Sequence, residues 1–444
     1  MSKQRIQLSD HFTYSRLLRF VLPCIGTMLF TSIYGIVDGL CVSNFVGKTA
    51  FAAVNLIMPL PMLLGTIGFM LGTGGSAIVG ITLGEGDQKK ADRYFTLFLL
   101  AALVSVSVLA VLGIVFLRPI AVLLGAKGEL LDYAVRYGRI LMVSLPTFAL
   151  QNMFQSFFVT AEKPHLGFWF TVGAGCTNMV LDVLMVGIWG WGVEGAAIAT
   201  FISQLVGGVL PVFYFIDRSN SSRLHLCKTS FYSKVLRDAC INGSSELMTN
   251  LSMSLVNILY NYQLLRLAGE NGVAAYGVIM YAAFLFVAVF VGYAVGSAPI
   301  VSFHYGARNH AEVHNLYRKS LRLIAVVAVT LTLASMFIIP CVARIFVGYD
   351  AELLALTSRA FRLYALSFLI MGFNVYASSF FTALGDGVTS ALISFLRTLA
   401  FQVIAILLLP LLLGIDGIWL AVTAAELAAL AVSAAMLLTK DKVF

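Results

Sequence analysis

Charged residues are scarce in this sequence. Asp, Glu, Lys and Arg make up 11% of its 444 residues, whereas soluble domains typically carry about 25%. Hydrophobic residues make up 60% and occur in long runs separated by short polar stretches. A helix needs roughly 20 apolar residues to cross a bilayer, because water is absent there and only internal hydrogen bonds satisfy the backbone. The composition therefore excludes a sizeable soluble domain and predicts an all-α integral membrane protein.

Several chemical signatures are also missing. The six cysteines show no metal-binding spacing, which argues against a zinc site or a disulfide framework. Gly47-Lys48-Thr49 resembles the end of a phosphate-binding loop, but Val42 stands where its first glycine belongs. No histidine lies inside a predicted span, and the net charge of +8 is no sign of nucleic-acid binding in a membrane protein. We therefore expect no enzyme activity, no cofactor and no nucleic-acid partner. Without a nucleotide-binding loop, we expect an ion gradient to supply the energy for any work that the protein does across the membrane.

The chain divides into two halves of six apolar segments each. A polar stretch separates them and predicts an N-lobe at 1–217, a cytoplasmic linker at 218–234 and a C-lobe at 235–444. The predicted spans are 18–43, 51–81, 94–117, 135–160, 166–188, 193–216, 239–266, 273–303, 319–347, 360–383, 388–413 and 417–438.

Basic residues predict the orientation. With the N-terminus placed in the cytoplasm, nineteen Lys and Arg residues fall on the inner side and nine on the outer side. Because cytoplasmic loops carry the excess of positive charge, we expect both termini to be cytoplasmic. The expected location is the plasma (inner) membrane, with multiple spans.

The two halves repeat one another at a shift of 222 residues. Gly192-Val-Glu-Gly aligns with Gly414-Ile-Asp-Gly, and the polar series 152, 156 and 160 aligns with 374, 378 and 382 as Asn, Ser and Thr in both halves. Since each half has an even number of spans, both insert in the same direction. The predicted fold is twelve transmembrane helices in two six-helix bundles, related by a pseudo-two-fold along the membrane normal, with a cavity between them.

Four oxygen-bearing side chains of the N-lobe share one predicted layer in the outer half of the membrane. They are Asp38 on the first span, Asn178 and Asp182 one turn apart on the fifth, and Thr200 on the sixth. Two carboxylates without a basic partner must share a proton or bind a cation. The alternative is that Asp38 is a helix-end residue and that Asn178 and Thr200 only join helices by hydrogen bonds.

The C-lobe carries different buried charges. Glu246, Arg397 and Glu426 each lie near the predicted midplane. Two interpretations remain open: an internal ion pair of Arg397 with Glu426 or Glu246 that holds the bundle together, or a role in substrate binding.

Aromatic and proline residues supply further candidates. Aromatic faces suit flat organic cations through cation–π attraction, and a proline within a span kinks its helix, so Pro23 on the first span is a candidate hinge. The candidate cavity residues are Glu246, Gln151, Phe154, Tyr281 and Tyr376.

The whole chain resembles the MATE (multidrug and toxic compound extrusion) antiporters, bacterial multidrug branch. The resemblance rests on the two six-span halves, on Gly47-x-x-x-x-Ala-Ala after the first span and on Gly84-Glu-Gly-Asp after the second. It implies a cation site at Asp38, Asn178, Asp182 and Thr200, holding Na⁺ if the protein is Na⁺-coupled, with a backbone carbonyl near Ala196 completing it. It also implies a bend at Pro23.

One position departs from the family pattern. The tenth span carries Asn374 where some members have an acid, which puts a C-lobe cation site in doubt and leaves Glu246 to contact substrate. The predicted function is secondary active efflux of amphipathic organic cations in exchange for Na⁺ or H⁺ by alternating access, by a monomer whose partners are the lipid bilayer and small, cationic substrates. The alternative is a lipid-linked glycan or lipid flippase of related fold, which would require a more basic cavity than one intramembrane arginine provides.

Overall fold

The computed structural model describes residues 6–46, 48–348 and 350–440, without the side chains of residues 38–44, 48, 51, 346 and 440. The structure is 88% helical and has no strand within these ranges. It confirms the predicted fold of twelve transmembrane helices in two bundles.

The N-lobe contains eight helices. The fifth span is α6 followed by a π-helical turn, and the sixth is α7 followed by α8. The helices are α1 (Tyr14–Phe45), α2 (Lys48–Ile57), α3 (Pro59–Gly84), α4 (Gln88–Leu123), α5 (Gly128–Thr160), α6 (Pro164–Asp182), the π-helical turn Val183–Ile188, α7 (Gly192–Gly208) and α8 (Leu210–Ile216).

The C-lobe also contains eight helices, and its fifth span, the eleventh of the chain, is interrupted by a second π-helical turn. The helices are α9 (Ser233–Asn242), α10 (Ser244–Gly306), α11 (His310–Val347), α12 (Ala351–Ala365), α13 (Phe368–Ala383), α14 (Gly387–Phe395), the π-helical turn Leu396–Ala400, α15 (Phe401–Leu413) and α16 (Ile415–Lys440).

Two elements differ from simple one-helix spans. Helix α10 has 63 residues, about 95 Å at 1.5 Å per residue, but its backbone leaves helical geometry at Gly269 (φ 60°) and so forms two spans. Helices α12 and α13 are bent by 46° and together make one span. The predicted segments 239–266, 273–303 and 360–383 correspond to these elements.

The pseudo-two-fold is visible in individual backbone features at the predicted shift of 222. Asp87 caps the N-terminus of α4 by accepting from the Lys90 N–H, and Asn309 caps α11 in the same way through Glu312. Gly192 and Gly414 both have φ near +60°, a conformation that glycine adopts without steric cost. The repeat therefore extends from the spans to their caps and turns.

On one face of the bundle, residues 6–13 join the two lobes. The Leu8 N–H donates to Glu162 Oε1 of the N-lobe (2.9 Å), and the Phe12 N–H donates to Glu312 Oε1 of the C-lobe (2.9 Å). His11 Nδ1 lies 2.6 Å from Glu312 Oε2. The Leu8 and Phe12 side chains are fully buried. We call this segment with Glu162 and Glu312 the clasp.

Candidate functional site

A cavity of about 340 Å³ lies mainly within the C-lobe and reaches the N-lobe. Its N-lobe wall consists of small hydroxyl side chains on α3 and α5: Thr73, Ser76 and Ser156. This volume lies within the range of roughly 300–1,000 Å³ typical of small-molecule pockets. The cavity therefore fits a drug-sized molecule at the boundary between lobes.

Three charged side chains line this cavity: Glu246 at the start of α10, Arg397 in the second π-helical turn and Glu426 on α16. Arg397 Nε donates to Glu426 Oε1 (2.8 Å), and Asn374 Nδ2 donates to Glu426 Oε2 (2.7 Å). Glu426 is completely buried. The ion pair expected of Arg397 is thus formed with Glu426, and the same residues also face the cavity.

Aromatic side chains form a second wall. The rings of Tyr260 and Tyr276 stack at 4.9 Å between centroids with planes 10° apart. The Tyr276 hydroxyl donates to Asn257 Oδ1 (2.6 Å), which fixes the ring orientation. Tyr260 occupies the position that corresponds to Asp38 in the repeat, so the C-lobe has an aromatic side chain where the N-lobe has a carboxylate.

The N-lobe residues Asn178 and Asp182 lie one turn apart on α6 and are both buried. Asn178 Nδ2 has no hydrogen-bond partner among the described residues. Thr200, half-buried on α7, donates its hydroxyl to the Ala196 carbonyl (3.0 Å). Among the described side chains, which do not include that of Asp38, no three His, Cys, Asp or Glu residues gather as a metal site.

Each lobe has a π-helical turn at or next to one of its candidate charged residues, Asp182 in the N-lobe and Arg397 in the C-lobe. The turn Val183–Ile188 follows Asp182 directly, and the turn Leu396–Ala400 contains Arg397. Such turns are rare and occur frequently at functional sites. Nothing in the apolar pattern of these spans had predicted them.

Two predicted residues belong to α1. Asp38 lies on this helix, but its side chain is outside the described residues. Pro23 lies inside the continuous helix, and its carbonyl accepts the Thr27 hydroxyl (2.9 Å). The hinge at Pro23 remains a prediction.

The predicted cavity residues separate into two groups. Glu246 lines the cavity described above. Gln151 packs against Gly207, Phe154 stacks on Phe215 inside the N-lobe, and Tyr376 is buried against Phe380. The Tyr281 side chain is 44% exposed and does not line this cavity. The roles of these residues in substrate binding remain predictions.

Sequence reasoning missed the clasp and the stacked tyrosines. The clasp depends on residues 6–13, which precede the first predicted span and were assigned no role from the sequence. Leu8 and Phe12 were the available signal, since Leu and Phe are among the residue types most often fully buried.

Curated proteins with similar sequences include bacterial proteins named as multidrug exporters. The chain is 21% identical over 435 residues to the protein named multidrug export protein MepA of Staphylococcus saprophyticus, covering 97% of this chain and 94% of that protein. It is 22% identical over 432 residues to the protein of the same name in Staphylococcus aureus, with the same coverage.

Solved structures share the fold. A MATE in complex with MaL6 superposes with a TM-score of 0.92 at 22% identity, covering 99% of this chain and 100% of that one. A multidrug resistance MATE family transporter of the MOP superfamily, in an outward-facing conformation, gives 0.92 at 22% identity with full coverage of both chains. The MatE family model matches residues 23–184 and again residues 247–408, one copy on each side of the predicted linker. The chain therefore belongs to the MatE family, whose members are membrane transporters rather than enzymes.

Proposed function

We propose that the protein is a secondary antiporter that expels amphipathic organic cations in exchange for Na⁺ or H⁺. It would act as a monomer in the plasma (inner) membrane with both termini in the cytoplasm. The observation that carries the proposal is that the two lobes contain different polar sites. A buried amide–carboxylate pair, Asn178 and Asp182, lies in the N-lobe, and a drug-sized cavity with a carboxylate, Glu246, lies mainly in the C-lobe.

The register of α1 against α6 supports an ion site that includes Asp38. Gly175 of α6 packs on Tyr34 of α1, and Gly187 of the π-helical turn after α6 lies beside Phe45 of α1. Both segments run in the same direction between these two contacts. Asp182 lies between Gly175 and Gly187, and position 38 lies between Tyr34 and Phe45, so the two positions fall in the same stretch of the helix pair.

Separate sites allow the two ligands to be coupled. Antiport requires that ion and substrate favour different states of one equilibrium. In our proposal, the coupling ion binds in the N-lobe at Asp38, Asn178, Asp182 and Thr200, with the Ala196 carbonyl nearby. Binding there alters the charge of the site and the bend of α1 at Pro23. Helix α1 packs against α10, which carries Glu246. The change in α1 therefore weakens substrate binding at Glu246. The exporters named above support organic compounds as the cargo class.

Purified protein in liposomes loaded with ethidium tests this function. We expect an inward gradient of the coupling ion, Na⁺ or H⁺, to drive ethidium out of wild-type vesicles. Asp38→Asn and Asp182→Asn should abolish this exchange while the protein still elutes as a folded monomer.

Asp132→Asn is the matched control, because Asp132 is an exposed carboxylate of the same lobe. This control should exchange ethidium at the wild-type rate. Full exchange by Asp182→Asn would contradict the ion site, and no exchange under either gradient would contradict the antiporter itself.

A further inference from the structure

We propose that the surface of the bundle carries a binding site for the headgroup of an anionic phospholipid, at the point where the start of α1 meets α11. The site consists of Tyr14 and Arg16 on α1 and Lys319 and Arg322 on α11, and we call it the basic seam. The inference goes beyond the proposed function and needs only that the chain spans a membrane.

Two cations of the C-lobe lie against one tyrosine of the N-lobe. Arg322 Nη1 donates to the Tyr14 hydroxyl (3.4 Å), and Lys319 Nζ lies 5.6 Å from the centroid of the same ring. The Tyr14 side chain is exposed, so its hydroxyl remains accessible as a donor. A ligand bound at this ring therefore contacts both lobes.

Arg16 adds a third positive charge on the N-lobe side. Its Nη1 donates to the His11 carbonyl (3.3 Å), and both Arg16 and Arg322 are exposed. Among the described side chains, no Asp or Glu lies within 4.0 Å of the charged nitrogens of Arg16, Lys319 or Arg322. Glu312, the acid of the clasp, pairs with His11 instead. The three positive charges are therefore not neutralised within the protein and attract an anion.

The helix surfaces that continue from the seam are apolar and exposed. Leu18 and Leu22 follow Tyr14 at intervals of one turn on α1, and Val326 follows Arg322 by one turn on α11. Leu22 is 63% exposed and Val326 is 64% exposed. Exposed apolar side chains of a membrane-spanning helix are covered by lipid chains, so the seam lies at the depth of the headgroups. This position favours a lipid phosphate over free phosphate, which gains nothing from the apolar surface.

The repeat shows that the fold does not require these charges. At the shift of 222, Lys319 and Arg322 correspond to Leu97 and Leu100 on α4. An excess of basic residues on one side of the membrane sets orientation, but it does not require them to gather around one tyrosine between the lobes. Basic pockets between transmembrane helices bind anionic headgroups, and the arginine guanidinium matches phosphate oxygens in geometry and charge.

Native mass spectrometry of the full-length protein in detergent tests the site. The protein is titrated with dioleoylphosphatidylglycerol and, separately, with dioleoylphosphatidylcholine, which has the same acyl chains and no net charge. We expect the first molecule of the anionic lipid to bind about tenfold more tightly than the first molecule of the neutral one. An excess of inorganic phosphate should leave the bound lipid in place, because free phosphate makes no contact with the apolar surface.

The double variant Arg16→Gln, Arg322→Gln removes two exposed charges of the seam. Lys319 is kept, because its Nζ donates to the Phe12 carbonyl (2.6 Å) and so contributes to the clasp. We expect the first phosphatidylglycerol to bind about tenfold more weakly to this variant, with phosphatidylcholine little changed. Phosphatidylglycerol should also slow amide hydrogen exchange at residues 11–16 of wild type and not of the variant.

Arg93→Gln, Arg218→Gln is the matched control, because it removes two exposed arginines of the N-lobe and the linker that lie outside the seam. This control should bind phosphatidylglycerol with wild-type affinity. An equal loss in the control would show that general surface charge holds the lipid, and it overturns the site.

Equal affinity of wild type for the two lipids also overturns the inference, and so does displacement of phosphatidylglycerol by inorganic phosphate. These outcomes are independent of transport. Wild-type vesicles that exchange ethidium, from a protein that shows no preference for phosphatidylglycerol, would leave the antiporter intact and remove only the lipid site.

Discussion

Gly84 of α3 and Gly306 of α10 pack reciprocally across the two lobes. A Cβ atom at Gly84 would meet the Phe303 carbonyl, and one at Gly306 would meet the Ile81 carbonyl. All four positions are related by the shift of 222. Because Gly84 and Gly306 end α3 and α10 beside the clasp, the lobes are closed together on this face, and the absence of side chains permits the contact.

Gly84→Ala and Gly306→Ala should open this face. Each adds a methyl group where a backbone carbonyl stands, and overpacking of this kind typically costs about 1–3 kcal/mol. With spin labels at Gln88 and His310 in a cysteine-free background, we expect a longer mean distance in each variant than in the parent. Gly277→Ala on α10 is the control, since a Cβ there meets nothing within 4 Å. An unchanged distance in both variants would show that the contact does not hold the face closed.

Glu312→Ala should release the clasp. Glu312 is 6% exposed and accepts hydrogen bonds from the Phe12 N–H and from Asn315 Nδ2. Loss of a buried charged acceptor typically costs about 1–3 kcal/mol. Amide hydrogen exchange across residues 6–13 should therefore become faster by about tenfold or more. Glu352→Ala, an exposed acid in the first turn of α12, should leave that exchange at the wild-type rate.

Glu426→Ala should destabilise the C-lobe more than the loss of both charges does. The single change leaves Arg397 buried without its counter-charge, which typically costs about 3–5 kcal/mol. Adding Arg397→Gln removes that penalty, so the thermal midpoint of the double variant should lie above that of Glu426→Ala. Additive losses, measured by thermal unfolding in detergent, would mean that the two side chains are energetically independent.

A thermal-shift titration identifies the coupling ion through the N-lobe site. A ligand that binds only the folded protein stabilises it by about 2.7 kcal/mol at a concentration of 100 times its Kd. If Na⁺ is the ion, NaCl should raise the midpoint of wild type more than choline chloride does, and Asp182→Asn should remove the difference. Equal shifts by both salts in wild type would exclude Na⁺ and leave H⁺.

The positions of the spans were predictable from the apolar runs. The predicted segment 388–413 is observed as α14, the π-helical turn and α15, and the segment 319–347 lies within α11. Apart from a closed β-barrel, only a helix satisfies all backbone hydrogen bonds of a segment in hydrocarbon. Asn178 and Asp182 also share one face as their spacing predicts, since four residues make about one helical turn.

The choice of partners was not predictable in the same way. The sequence allowed Arg397 to pair with Glu426 or Glu246, and only the packing of α16 beside the second π-helical turn selects Glu426. The burial of Phe12 likewise depends on α11 of the other lobe, about three hundred residues away along the chain.

By itself the sequence determined the membrane class, the twelve spans and the twofold repeat, because apolar length and periodicity act locally along the chain. Only the tertiary structure decided that Tyr260 and Tyr276 stack, that Glu246 and Arg397 face one cavity, and that residues 6–13 join the lobes. Those relationships depend on which helix faces lie against each other, and many faces of an apolar helix are chemically alike until the bundle is packed.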